Sequence, residues 1–250
     1  MDYRVNRWSI VVAAVSILGL TACGGTDDNA SDAARVEAAP EVAAPNPLTG
    51  AAITDEADLQ SRLLTTDDLP AGFTVVADPV RDLGLDPAPQ YDAEDKSGTD
   101  PQRCADVLAE ITRQSPGAAV DAKVRYSGPD FSSIDQDAAS YLGDGAADAF
   151  SAVQQTLGSC SEYSGTDADG IAVEYSVSAR KQETIGDAST SVRLETTSEG
   201  YTLVSDAVVT VVDHTVVQLV ATSQEGVDPS SLTELARTAA DRIRGVGAGL

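Results

Sequence analysis

Few side chains in this sequence have types and spacing that could do covalent or acid–base chemistry. Cys104 and Cys160 stand behind an N-terminal export signal, and an even pair of thiols in an exported chain reads as one disulfide. Closing a loop of that length stabilises a fold by roughly 4 kcal/mol on the chain-entropy account. A redox or catalytic thiol would want a second cysteine at CxxC distance, and none stands there. His214 is the single imidazole, so neither a His-rich metal site nor a Ser-His or Cys-His nucleophile system can be assembled. Set between two Val-rich runs, it reads as a turn residue. The 40 Asp and Glu side chains make any chosen pair uninformative about carboxylate catalysis. Asp167-Ala168-Asp169-Gly170 opens like a calcium loop, but Glu174 comes too early for the closing bidentate ligand. A solvated turn is expected there; weak calcium binding at this turn or in the 78–100 loop is the metal chemistry left to consider, and no metal or cofactor is assigned. GxSxG, P-loop, GxGxxG and HExxH signatures are absent from the sequence. The candidates for ligand contact are aromatic. Core packing accounts for any one of Tyr126, Tyr141 and Tyr175, or of Phe131, Tyr163 and Tyr201; the alternative is that two or three of them line an apolar groove between a sheet and its helices.

The third cysteine sits in a different setting. Arg4 and Arg7 precede a 13-residue apolar stretch, Trp8 to Leu20, and Thr21-Ala22-Cys23 follows at once. Such a stretch, as a helix, covers roughly 20 Å and falls short of the ~30 Å hydrocarbon core of a bilayer. Leu20-Thr21-Ala22-Cys23 resembles a lipobox: small residues give a peptidase access to the bond, and only a thiol can form the thioether to a diacylglyceryl group. Residues 1–22 are therefore read as a lipoprotein signal peptide and Cys23 as the lipidated first residue of the mature chain, held at the extracytoplasmic face of the cell membrane. Two or more acyl chains at ~0.8 kcal/mol per buried methylene anchor a protein stably. A plain secretory signal with an incidental Cys23 is the alternative.

Composition divides the rest of the chain. The formal net charge is -24, which repels phosphate and argues against nucleic acid as a partner. Residues 24–54 carry nine Ala, three Pro and five acids without an aromatic, so 23–54 is expected to be a lipidated, disordered tether. Residues 55–250 are long enough to bury roughly 70% of their unfolded surface and are expected to form one domain.

The elements that must position these residues can be read from pattern. A helix is expected over 55–64 with Thr54 as its cap, then a strand over 73–77, then a long acidic loop over 78–100. Asp100-Pro101 opens a second helix in which Cys104, Val107, Leu108 and Ile111 form one stripe. Val120, Ala122, Val124 and Tyr126 alternate with charged residues as a half-covered strand; a third helix carries Ala146, Ala149, Phe150, Val153 and Leu157 on one face and runs into Cys160. Strands follow at 171–177 and 190–195, then at 201–212 and 215–221, the last two joined by Asp213-His214 as a tight hairpin. A terminal helix is capped by Asp228 and begun by Pro229. The fold class expected is α+β, an antiparallel sheet with helices packed on one face.

Together the lipobox with its Ala/Pro tether, the entry segment Leu63 to Phe73, the Ala-rich helix running into Cys160 and the Val-rich hairpin before a C-terminal helix resemble actinobacterial cell-envelope lipoproteins whose exported domain is similar to the PknH-like extracellular sensor domain. The likeness would cover most of residues 56–245. It implies an α+β domain with a concave groove and a non-enzymatic role in binding an envelope ligand or partner protein. Kinase-linked members usually carry two disulfides, where one is available here. With neither a kinase domain nor a membrane-spanning helix expected, signalling would need a partner. The alternatives are a carboxylate-based hydrolase or transferase acting on envelope material, and a lipid or glycolipid carrier.

Overall fold

The structure is a computed structural model describing residues 39–80, 84–86 and 95–246. The expected signal peptide, Cys23, the tether up to residue 38 and much of the 78–100 loop lie outside the described residues.

The C-terminal half supplies the frame. β6 (Ala172–Ala179), β7 (Ala188–Ser198), β8 (Tyr201–Val212) and β9 (Thr215–Ser223) pair as successive antiparallel neighbours, with Asp213 at φ 54° in the two-residue turn between β8 and β9. β9 then pairs with β4 (Ser133–Ser140), β4 with β3 (Val120–Ser127), and β3 with the two-residue β1 (Thr74–Val75). At the other edge β6 pairs with β5 (Glu162–Thr166) and β5 with β2 (Gly98–Asp100). The result is one nine-stranded antiparallel sheet, ordered β1-β3-β4-β9-β8-β7-β6-β5-β2, in an α+β domain as expected.

The helices cover both faces of the sheet, which corrects the expectation of one. β8 and β9 are apolar in both phases of their alternation: Val208, Val212, Val217 and Leu219 point one way, Val209, Val211 and Val216 the other. A strand apolar on both sides must be covered on both. On the first face lie α1 (Glu56–Ser61) and α4 (Pro229–Ile243), bringing Leu59, Leu232, Leu235, Ala239 and Ile243. On the second lie α2 (Ile111–Gln114) and α3 (Gly145–Ser159), bringing Ile111, Ala149, Phe150, Val153 and Leu157. Each buried Leu, Ile, Val or Phe stabilises the fold by about 1.5–3 kcal/mol. The Asp228 carboxylate accepts from the amides of Ser230 and Ser231, capping α4 as the Asp-Pro signal implies.

Three further expectations are revised. The single helix over 100–111 is instead β2, a 3-10 turn (Gln102–Asp106) and the short α2. It breaks at Leu108, which sits at φ 56° while Gln218 Nε2 donates to the carbonyls of Leu108 and Ala109 at 3.2 and 3.1 Å. Contacts with the sheet override the helical stripe there. β4 and β5 join the sheet although the pattern does not announce them. Residues 39–54, expected to belong to the tether, lie along the domain. The Gln154 side chain clasps both backbone groups of Val42, accepting from its N–H at 2.7 Å and donating to its carbonyl at 2.9 Å. Leu48 packs on the second core, and Ile53, buried, donates its N–H to Ser140 Oγ at 2.9 Å. The apolar positions in this Ala/Pro segment are few but spaced to reach the sheet. A side chain at Gly50 would collide with Asp213.

Candidate functional site

The candidates singled out by residue type do not converge. Tyr126 is buried in the first core and its Oη donates to the Leu64 carbonyl at 2.5 Å. Tyr141 is buried in the second core and donates to the Ser115 carbonyl at 2.6 Å. Burial raises the pKa of both phenols. Both pack the core, on opposite faces of the sheet, and so share no groove; the alternative of a groove lined by Tyr126 and Tyr141 together is set aside. Tyr175 stacks on Tyr163 across β5 and β6, with ring centroids 4.5 Å apart. Phe131 and Tyr201 lie exposed at strand ends. His214 lies in the β8–β9 turn, where its carbonyl accepts from the Tyr141 N–H at 2.9 Å. Asp167 Oδ1 accepts from the amides of Asp169 and Ile171, the geometry of a closed turn. Among the described residues no group of three or more His, Cys, Asp or Glu is arranged to hold a metal ion.

Cys104 and Cys160 are joined by a disulfide, with both residues buried. The bridge ties the 3-10 turn to the C-terminal end of α3. It thereby fixes the chain that runs on through Leu108 to α2, which forms one wall of a groove on the second face of the sheet.

That groove, of about 390 Å3, opens over β3, β4 and β9. Leu108 and Glu110 form one wall, Val76 to Pro79 the opposite one. The floor is built by strand alternation: Lys123 and Arg125 of β3 stand beside Asp137 and Asp135 of β4, which stand beside Gln218 and Val220 of β9. Most of its charges are already matched. Arg125 pairs with Asp135, whose second oxygen accepts from Ser133 Oγ at 3.1 Å. Lys123 Nζ donates to Glu110 Oε1 at 2.5 Å. Gln218 is spent on the carbonyls of the Leu108 wall, and Leu108 itself stands in the left-handed region, a strain of roughly 1 kcal/mol that the surrounding contacts hold in place.

Asp137 is different. It is 8% exposed, and its Oδ2 accepts from the Ile111 N–H at 2.5 Å. That amide is its one hydrogen-bond donor among the described residues. Burial pushes its pKa up to about 6, against the pull of the Ile111 amide; repulsion from Glu110 and Asp121 adds to the rise and Lys123 opposes it. A carboxyl that is costly to ionise, set in the floor of a cleft, is a candidate for ligand contact.

No family model matches this chain, and no curated protein is detectably similar to it in sequence. Solved structures do match. The extracellular domain of PknH from Mycobacterium tuberculosis superposes with a TM-score of 0.55 at 11% identity, covering 79% of this chain and 100% of that one. An uncharacterised protein from Mycobacterium smegmatis matches at 14% identity with a TM-score of 0.38, over 76% of this chain and 97% of that one. At such identity the likeness is one of architecture, and it establishes that this chain is built on the fold of the PknH extracellular domain.

Proposed function

We propose that the chain is a lipid-anchored, extracytoplasmic binding module of the sensor-like kind, with its ligand seated in the groove over Asp137. The observation that carries this reading is the open, three-sided groove with partly apolar walls and one buried, barely satisfied carboxylate in its floor. The carboxylate-hydrolase alternative needs a second carboxyl free to act beside Asp137, whereas Asp135 is engaged by Arg125 and Ser133, and Glu110 by Lys123. A carrier would enclose its cargo, whereas this groove opens to solvent. The fold shared with an extracellular domain and the disulfide both suit an oxidising compartment outside the cytosol. The Leu-Thr-Ala-Cys signal at Cys23 would supply the anchor, and signalling would pass to a separate envelope protein.

Native mass spectrometry of the protein taken from its own envelope tests the groove. A small-molecule adduct is expected on the wild type and its loss is expected in Val220→Phe, which fills the floor from a partly exposed position. An adduct that survives the substitution would move the site elsewhere. The anchor is checked separately: Cys23→Ala should shift the mature protein from the membrane fraction to the soluble one, and unchanged detergent-dependent partitioning would refute lipidation.

A further inference from the structure

We infer that the groove recognises a cationic head group, a protonated amine on a short apolar body, through a direct ion pair with Asp137. The inference rests on the groove being the ligand site and adds the chemical class of what it takes.

The charge environment carries the inference. Asp137 is more than nine-tenths buried yet receives one backbone amide, from Ile111. A carboxylate at such a position is costly to ionise until a counter-charge or further donors reach it. The groups around it cannot serve. From β3, Asp121 repels it and Lys123 is drawn away to Glu110; from the α2 wall, Glu110 repels it as well. Asp135 and Arg125 along the floor satisfy one another, and Gln218 on β9 gives its amide hydrogens to Leu108 and Ala109. The local field is therefore negative, and the missing partner is a donor with positive charge. Beside the charges the groove offers apolar surface to a short hydrocarbon body, from Val76, Leu108, Val124 and Val220. A primary ammonium brings three N–H donors and a full charge to one point, whereas an alcohol brings a single donor and no charge. An anionic head would meet Glu110, Asp121 and Asp137 together, in a protein whose formal net charge is already -24.

The test uses three probes of equal length, n-hexylamine, n-hexanol and hexanoate, titrated into the isotope-labelled protein at about pH 7.5 and followed by amide chemical shifts. The amine should move the amides of Leu108, Ile111 and Val220 and bind at least about tenfold more tightly than the alcohol, with hexanoate weakest. Asp137→Asn keeps the shape and the acceptor for the Ile111 N–H, and should erase the preference for amine over alcohol. Lowering the pH to about 5 should weaken the amine roughly tenfold in the wild type, because Asp137 is then mostly neutral while the amine stays charged. Equal binding of amine and alcohol at the groove, or an amine preference that survives Asp137→Asn, overturns the ion pair while leaving the groove standing. Failure of all three probes to move groove amides overturns the groove and the inference with it.

Discussion

Two carboxylates are buried on opposite faces of the same sheet, and the protein treats them in opposite ways. Asp206 on β8 faces the α4 side and has no exposed surface. Burial alone would raise its pKa. Instead Arg193 donates Nε and Nη2 at 2.8 and 2.9 Å, Arg180 forms a second ion pair, and the Val227 N–H adds a bond at 3.1 Å, so the carboxyl is held below its ordinary range. This network ties β7 and the segment after β6 to the loop that launches α4. Asp137 faces the α3 side with one amide and no cation of its own, and its pKa moves up instead of down. Desolvation acts on both; the number of donors decides the sign. A carboxylate with all its partners in place is a structural joint. One left nearly bare beside a cleft is available to a ligand.

That contrast can be broken most severely at Asp206. Asp206→Ala removes the shared partner of two arginines that are largely buried, Arg180 above all, and should cost roughly 3–5 kcal/mol in urea denaturation. A loss below about 1 kcal/mol would mean that the network is ornamental and that donor count does not separate the two sites. Substitution at Asp137 should act in the other direction. Its folded pKa is raised to about 6 from 3.8, so the folded state holds more protons than the unfolded one between those values, and ionisation above about 6 destabilises the fold. Asp137→Asn should therefore stabilise the protein at about pH 7 by on the order of 1–3 kcal/mol. The advantage should shrink as pH falls through 6 and vanish only near about pH 3, below the unfolded value of 3.8, where the carboxyl is protonated in the folded and the unfolded chain alike. Urea midpoints at the two pH values check the sign; a destabilised Asn variant at neutral pH would show that the carboxylate is satisfied in the free protein.

The same contrast explains which parts of the fold are legible in sequence. β8, β9 and α4 announce themselves because their apolar positions are dense and their punctuation is chemical: Asp213 takes the positive φ of the turn, and Asp228-Pro229 caps a helix. The pairing of Cys104 with Cys160 follows from cysteine count and compartment. β4 is illegible for the reason that makes it interesting. On its first face Gln136 stands between Ile134 and Ala138, taken up by the Leu64 N–H, and on the other face Asp135 and Asp137 put charge where the floor of the groove is built, so the apolar signal is thin on both sides. The available signal is the turn: Gly128-Pro129-Asp130 after an eight-residue strand is a reversal, and a reversal implies a second strand of similar length beyond it. The tyrosines leave core and groove open as alternatives for the converse reason, since Tyr126 and Tyr141 each reach a backbone carbonyl inside the core, a polar partner that composition cannot reveal. Residues 39–54 mislead because an Ala/Pro segment reads as tether by composition, while it docks through a few separated contacts: Gln154 on Val42, Leu48 in the second core and the Ile53 N–H on Ser140.

The finest test of the comparison leaves Asp137 in place and changes its neighbour. Glu110 acts on it twice, by direct repulsion and by engaging Lys123. Glu110→Gln removes the repulsion and frees the lysine, so both effects push the Asp137 pKa down. Because burial is the leading cause of the rise, the midpoint should fall by only a fraction of a unit and stay above the ordinary carboxylate range. Carboxyl-carbon NMR titration of the two proteins reads this directly. A midpoint that drops all the way to the ordinary value would assign the rise to charge instead of desolvation. Asp137 would then be a wet surface carboxylate in an unfavourable field, and a cationic ligand would gain little from reaching it, since an exposed ion pair contributes about 0–1 kcal/mol. A small fall leaves the floor of the groove dry, which is the condition under which the single charge there can discriminate between ligands.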